Sequence, residues 1–237
     1  MGEDPAVFDN SLVAIAAAHA AGAPFVETDC RLTADGDVVL FHDADLSRLL
    51  GDPRPLRAVP TAELRDLFDQ HGGLLTLGEA LSSFPDLRFN VDVKEADAAG
   101  PAGRIVAPHG RRVLLTSFSD RTRRNAIATA EKAGAGVPPA ASGGQRTIAL
   151  LRLASALRLQ ALVRRALRGI DAVQIPVRFG PVRVFTPSLV RAAHLCGVEV
   201  HVWTINDPDE MRALVAAGAD GIVTDHADVA LSTLRPR

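Results

Sequence analysis

The sequence is short of cysteine, of long apolar runs and of net charge, and each shortage excludes something. Two cysteines, Cys30 and Cys196, among 237 residues give neither a disulfide framework nor a zinc-ligand spacing, so both are expected as reduced, buried thiols. No apolar run approaches the roughly 18 residues that span a bilayer, so no stable membrane insertion is expected. The start has no basic stretch followed by an apolar one, so no secretion signal is recognised and a cytoplasmic setting is expected. A formal net charge of −2 supplies no basic field for nucleic acid or acidic membranes. A dinucleotide-binding turn is missing too: Gly72-Gly73, Gly134-Ala-Gly136 and Gly143-Gly144 have neither the spacing nor the strand-to-helix context. There is no low-complexity tail and no internal repeat of fixed short period.

What is there reads as one domain over residues 1–237, long enough for a full core. Short β-branched apolar runs lie at 25–30, 38–42, 88–94, 112–117, 172–176, 198–204 and 221–224, with a weaker one near 134–137. They alternate with Ala/Leu/Arg-rich stretches at 11–21, 61–68, 77–84, 120–133, 145–168, 186–196 and 208–217. Strand–helix alternation with short connections predicts a parallel sheet covered by helices, and its repetition favours an α/β TIM-type (β/α)8 barrel over an open sheet. Asn10 or Ser11 is placed to cap the first helix and Gly22 to end it. Thr186-Pro187 and Asp207-Pro208 open later helices that Gly197 and Gly218 close. The Gly/Pro/Ala-rich stretch 134–145 reads as a loop.

Polar residues cluster at the ends of the apolar runs. Strand side chains alternate faces, so Glu27 and Asp29 share a face, as do Asp92 and Lys94. Two acids on an apolar strand need a partner, either arginine or a cation, and Asp92 repeating the pattern on a second strand favours a metal. His42 ends a strand, where it serves as a proton carrier near neutral pH or as a hydrogen-bonded structural residue. Lys94 either holds a phosphate oxygen or forms a salt bridge with Glu27 or Asp29. Trp203, the only tryptophan, either packs in the core or forms a flat wall for a small substrate. The other histidines are read as structural.

In order, Asp9-Asn10-Ser11-Leu12, Glu27-Thr28-Asp29, Asp35-Gly36, Val39-Leu40-Phe41-His42-Asp43, Asn90-Val91-Asp92-Val93-Lys94, Ser117-Phe118-Ser119, Trp203-Thr204-Ile205-Asn206-Asp207 and Asp220-Gly221-Ile222-Val223-Thr224-Asp225 resemble the glycerophosphodiester phosphodiesterase family. Each piece alone is weak; their order and spacing together are specific. The resemblance implies a TIM-type barrel that hydrolyses glycerophosphodiesters to glycerol 3-phosphate and an alcohol, an activity of lipid metabolism, with one divalent metal, Mg²⁺ or Ca²⁺. It implies Glu27, Asp29 and Asp92 as metal ligands, His42 as one of two catalytic histidines, Lys94 on the phosphate and Trp203 in the pocket wall. Where Asp92 stands the family often has glutamate, and its Glu-Asn reads Asp9-Asn10 here.

Members of the family also open with a strand ending in His-Arg-Gly, whereas the residues before Asp9 contain neither histidine nor arginine. The chain is therefore expected to be N-terminally short, lacking its first β-strand. A shortened gene model is the expected cause, because an open barrel exposes sheet edges. A second reading is a catalytically impaired phosphodiester-binding pseudo-enzyme. A third, a related phospholipase D, ranks low without a secretion signal or disulfide pattern.

Overall fold

The computed structural model describes residues 7–234. The main strands are β1 (Phe25–Leu32), β2 (Val38–Leu40), β3 (Arg88–Val93), β4 (Val113–Thr116), β5 (Ala140–Gly143), β6 (Ala172–Pro176), β7 (Glu199–Trp203) and β8 (Gly221–Ile222). Besides a single turn at Ser47–Leu50, the α-helices are α1 (Leu12–Ala20), α2 (Thr61–Phe68), α3 (Leu77–Ser83), α4 (Ala99–Val106), α5 (Asp120–Lys132), α6 (Gln145–Ala156), α7 (Gln160–Ala166), α8 (Pro187–His194), α9 (Pro208–Ala216) and α10 (Ala227–Leu234). They gather into two compact units, Met1–Leu115 with Arg121–Pro139, and Thr116–Asp120 with Ala140–Arg237.

In the first unit β1 and β3 pair in parallel from Phe25↔Arg88 to Cys30↔Val93. β2 runs antiparallel to β1. Alternation divides the pair into two faces. Val26, Cys30, Phe89, Val91 and Val93 pack with Ile15 of α1 and Leu77, Ala80 and Leu81 of α3 in one apolar core. A second core gathers Phe8, Phe41, Leu64 and Phe68. The opposite face of the pair carries Glu27, Asp29, Asn90 and Asp92. α1 starts where expected, with the Ala14 N–H donating to Ser11 Oγ, and Gly22 takes a left-handed φ of 89° just past its end. α3 begins with a full capping box between Thr76 and Glu79.

The second unit contains the parallel series β5–β6–β7–β8. Its core joins Val173, Ile175, Val200 and Val202 with Leu189 of α8 and Met211 of α9. Thr186 and Asp207 cap α8 and α9 as expected, each followed by proline in the first turn.

Several boundaries differ from the sequence reading. The weak strand near 134–137 lies instead at β5, inside the stretch read as loop. Its Ala-Ala-Ser-Gly sequence has no β-branched residue, and pairing with β6 through Ser142↔Ala172 and Gly143↔Val173 outweighs propensity. The single helix expected at 145–168 is two, α6 and α7, separated at Arg158, whose φ is +57°; no glycine or proline marks the break. α4, in Ala-Gly-Pro-Ala-Gly, is an element to which the sequence reading assigns nothing. It forms because Gly103 lets it close on α5, where a Cβ would fall 2.3 Å from the Ala126 carbonyl oxygen. Residues 1–6, where a core strand was expected to be missing, lie outside the described residues. No described helix is long and apolar enough to cross a membrane.

The capping box yields a prediction. Thr76→Ala lowers the unfolding free energy by about 1 kcal/mol, read in a denaturant melt; an unchanged midpoint contradicts it. Burial pushes the Glu79 carboxyl up, but the Thr76 and Arg65 hydrogen bonds outweigh it and hold the group below its ordinary value. Its contribution is therefore complete above pH 4.5, the ordinary value, and is lost as pH falls through the lower folded value. Glu79→Gln flattens that part of the stability profile.

Candidate active site

The β1–β3 register sets Glu27 beside Asn90 and Asp29 beside Asp92. Lys94, just past β3 and on the same face as Asp92, reaches both aspartates. Its Nζ lies 2.6 Å from Asp29 Oδ1 and 2.8 Å from Asp92 Oδ2. Both carboxylates are buried. Burial raises Asp92 above the ordinary carboxylate range and the charge of Asp29 adds to the rise, while Lys94 opposes it. Burial alone would lower Lys94, but Asp92 and Asp29 outweigh it and hold the ammonium above its ordinary value. Glu27, nearer the start of β1, is exposed on the same face.

The oxygen-rich donor set suits a hard cation. Asn90 Oδ1 and Asp92 Oδ1 are buried without a hydrogen-bond partner, and such oxygens are what Mg²⁺ or Ca²⁺ takes. No three His, Cys, Asp or Glu side chains are already drawn together as a cation cage among the described residues.

Asn10 carries more of this arrangement than its motif suggested. With φ of +63°, a conformation asparagine tolerates, its Oδ1 accepts from the Thr28 hydroxyl and from the Asp29 N–H at 3.0 Å. Its Nδ2 donates to Asp29 Oδ2 at 3.3 Å. Asp29 is thus held by backbone and side chain together.

His42 lies just beyond β2 with its side chain 53% exposed, and its Nδ1 is 2.7 Å from Asp43 Oδ1. Arg48 binds the other Asp43 oxygen through Nε and reaches Asp9 Oδ2 at 3.1 Å. Burial raises Asp43, but the His42 and Arg48 hydrogen bonds outweigh it and keep the carboxylate below its ordinary value. A carboxylate on Nδ1 fixes the ring and leaves Nε2 for proton exchange. Cys30 sits on the opposite face of β1, fully buried. Burial, then the charges of Asp92 and Asp29, push its thiol far up, so it stays neutral. Cys196 is half-buried and also free.

In the second unit Trp203, at the end of β7, stacks on the exposed Phe118, ring centroids 6.3 Å apart at 27°. Asp120 beside it accepts from Gly144 N at 3.0 Å and Thr147 Oγ1 at 2.7 Å. A Cβ on Gly144 would fall 2.8 Å from Asp120 N, so only glycine fits. The second unit also repeats the Asn10 clamp. Asn206 Oδ1 accepts from the Thr224 hydroxyl at 2.9 Å and the Asp225 N–H at 3.0 Å, and its Nδ2 donates to Asp225 Oδ2 at 2.8 Å. In both places the asparagine precedes the helix-capping residue, Ala-Ala-Gly-Ala follows at the helix end, and a Thr-Asp comes next, within β1 in one case and just past β8 in the other. The signal was in the sequence, but as one long-separated pair of segments rather than a periodic repeat.

Residues 2–229 match the glycerophosphoryl diester phosphodiesterase family. The chain belongs to this family. It is 37% identical over 235 residues to the probable glycerophosphodiester phosphodiesterase 2 of Mycobacterium tuberculosis, a match covering 96% of this chain and 86% of that protein. The crystal structure of a glycerophosphodiester phosphodiesterase from Thermotoga maritima is similar with a TM-score of 0.73 and 26% identity, covering 95% of this chain and 92% of that one. An Oleispira antarctica phosphodiesterase, solved in complex with the product sn-glycerol-3-phosphate, shares the fold with a TM-score of 0.74 at 22% identity, covering 98% of this chain and 93% of that one. These similarities bear out the α/β barrel class and the family read from the sequence. The chain is an enzyme of the phosphoric diester hydrolase class. They lend no support to the non-catalytic binding reading.

The Asn10 clamp generates a test. Asn10→Ala leaves the Thr28 hydroxyl and the Asp29 amide without their acceptor, which costs about 1–3 kcal/mol of stability and lowers diesterase turnover. Denaturant melts and a turnover assay read both; wild-type stability with full turnover contradicts the role given to Asn10.

Proposed function

We propose that the chain hydrolyses glycerophosphodiesters to glycerol 3-phosphate and an alcohol with one divalent ion, Mg²⁺ or Ca²⁺, held by Glu27, Asp29 and Asp92. The observation that carries this reading is the pairing of Asp29 with Asp92 across β1 and β3, with Lys94 within 2.6 and 2.8 Å of them. Such an ion, when bound, supplies positive charge to a phosphate oxygen. The protein's own groups do the rest. Lys94 is a compact ammonium able to neutralise charge that grows on the phosphoryl oxygens in the transition state. His42, oriented by Asp43, moves a proton through Nε2. The Trp203–Phe118 stack gives the second unit a flat apolar wall suited to a small substrate. The product held by the Oleispira antarctica phosphodiesterase, sn-glycerol-3-phosphate, agrees with this choice of substrate.

Two substitutions test the assignment through release of glycerol 3-phosphate, with and without a chelator. Glu27→Ala abolishes the metal-dependent turnover, and undiminished turnover in that variant removes Glu27 from the ligand set. His42→Ala lowers turnover by about 10²–10⁴-fold, the range for loss of one proton-transfer group. Asp43→Asn lowers it less and alters the pH profile on the histidine limb, and an unaltered profile would assign Asp43 a purely structural part.

A further inference from the structure

α6 and α7 carry an apolar surface that the fold does not use. A helix lying on a sheet needs one apolar face. α6 has one in the buried Leu151, Ala154 and Ser155, and α7 has Val163. Leu150, Leu153 and Leu157 form a second stripe at i, i+3 and i+7, exposed to solvent. Leu153 and Leu157 are 58% and 59% exposed. The stripe continues over the break between the helices through Leu159 to Leu162, both exposed. Arg152 Nε donates to the Arg183 carbonyl at 3.0 Å. This bond ties α6 to the strand pair Arg178–Phe179 and Val182–Arg183, where Phe179 is 74% exposed.

The charged side chains that α6 and α7 themselves carry have one sign. Residues 145–168 contain six arginines, at 146, 152, 158, 164, 165 and 168, and no aspartate, glutamate or lysine. No acid occurs between Glu131 and Asp171, in a chain whose formal net charge is −2. The stretch is thus locally basic for want of acids, against the overall balance. Exposed leucines among arginines, without a carboxylate, match the interface between acyl chains and anionic headgroups: leucine enters the apolar boundary and guanidinium pairs with phosphate.

We propose that α6 and α7 form a peripheral docking surface for an anionic lipid bilayer. A second copy of the chain fits less well, because a two-fold contact would set arginines against arginines with no acid to pair them. Nucleic acid accounts for the arginines and leaves the leucines against phosphate and water. The docking is reversible and lies in the interface plane, since neither helix is long enough to cross a membrane. It is independent of the reaction proposed above.

Co-sedimentation of the full chain with vesicles tests the proposal. The chain sediments with vesicles of phosphatidylcholine containing about one-third phosphatidylglycerol, sediments much less with phosphatidylcholine alone, and is released by added salt. Arg164→Gln with Arg165→Gln weakens the partition by about 25-fold, taking about fivefold for each arginine at an anionic surface. Leu153→Gln with Leu157→Gln weakens it as well, while turnover of a soluble glycerophosphodiester and the melting midpoint stay at wild-type values. Equal partition into neutral and anionic vesicles, or no partition at all, overturns the proposal. So does wild-type partition in either double variant, a dimer in sedimentation that the leucine changes dissolve, or binding to duplex DNA that matches the vesicles.

Discussion

A lysine ammonium between two buried carboxylates is tolerated only where the backbone fixes all three groups, because each loses hydration that the others must help replace. The parallel pairing of β1 with β3 provides that fixing. Asp29 faces Asp92 across one rung of the ladder, and Lys94 stands two residues beyond Asp92. The period of two then places Glu27 and Asn90 on the same face and leaves Val26, Cys30, Phe89, Val91 and Val93 to the apolar core. A shift of one residue would exchange the faces, putting the carboxylates into the core. Register, core and site are therefore one constraint.

That constraint was partly legible in the sequence. Period-two spacing placed Glu27 with Asp29 and Asp92 with Lys94, and the apolar runs located β1 and β3 to within a residue or two. The cross-strand partner was not legible, since alternation says which residues share a face and not which strands are neighbours. Asn10 was legible as a candidate helix cap and not as the clamp on Asp29, because that part rests on a left-handed backbone and on contacts with Thr28 and Asp29 far along the chain. Asp43 was legible only as the neighbour of His42, and Arg48 escaped because it joins Asp43 to Asp9, 39 residues away. β5 was misplaced and α4 left unassigned because their Ala, Gly, Ser and Pro residues carry almost no propensity signal, and tertiary pairing decided them.

The two units solve one local problem in the same way. An asparagine before the helix cap and a Thr-Asp beyond the helix form a closed hydrogen-bond set at Asn10–Asp29 and again at Asn206–Asp225. In the first the aspartate is buried against Lys94; in the second it is exposed. The same backbone device thus serves a charged cluster in one place and a solvent-facing carboxylate in the other, and the difference comes from neighbouring residues rather than from the clamp. α6 shows how a fold-neutral face can diverge: its inner stripe meets the demands of packing, and its outer stripe is free to take on leucine and arginine.

The central claim is that the β1–β3 face is a cation site as well as an ion-paired cluster. Calorimetric titration of Mg²⁺ and of Ca²⁺ into the wild-type protein and into Asp29→Asn and Asp92→Asn tests it most directly. The account predicts one bound ion per chain in the wild type and affinity reduced about tenfold or more in each variant. No binding by the wild type, or equal affinity in all three proteins, would contradict it.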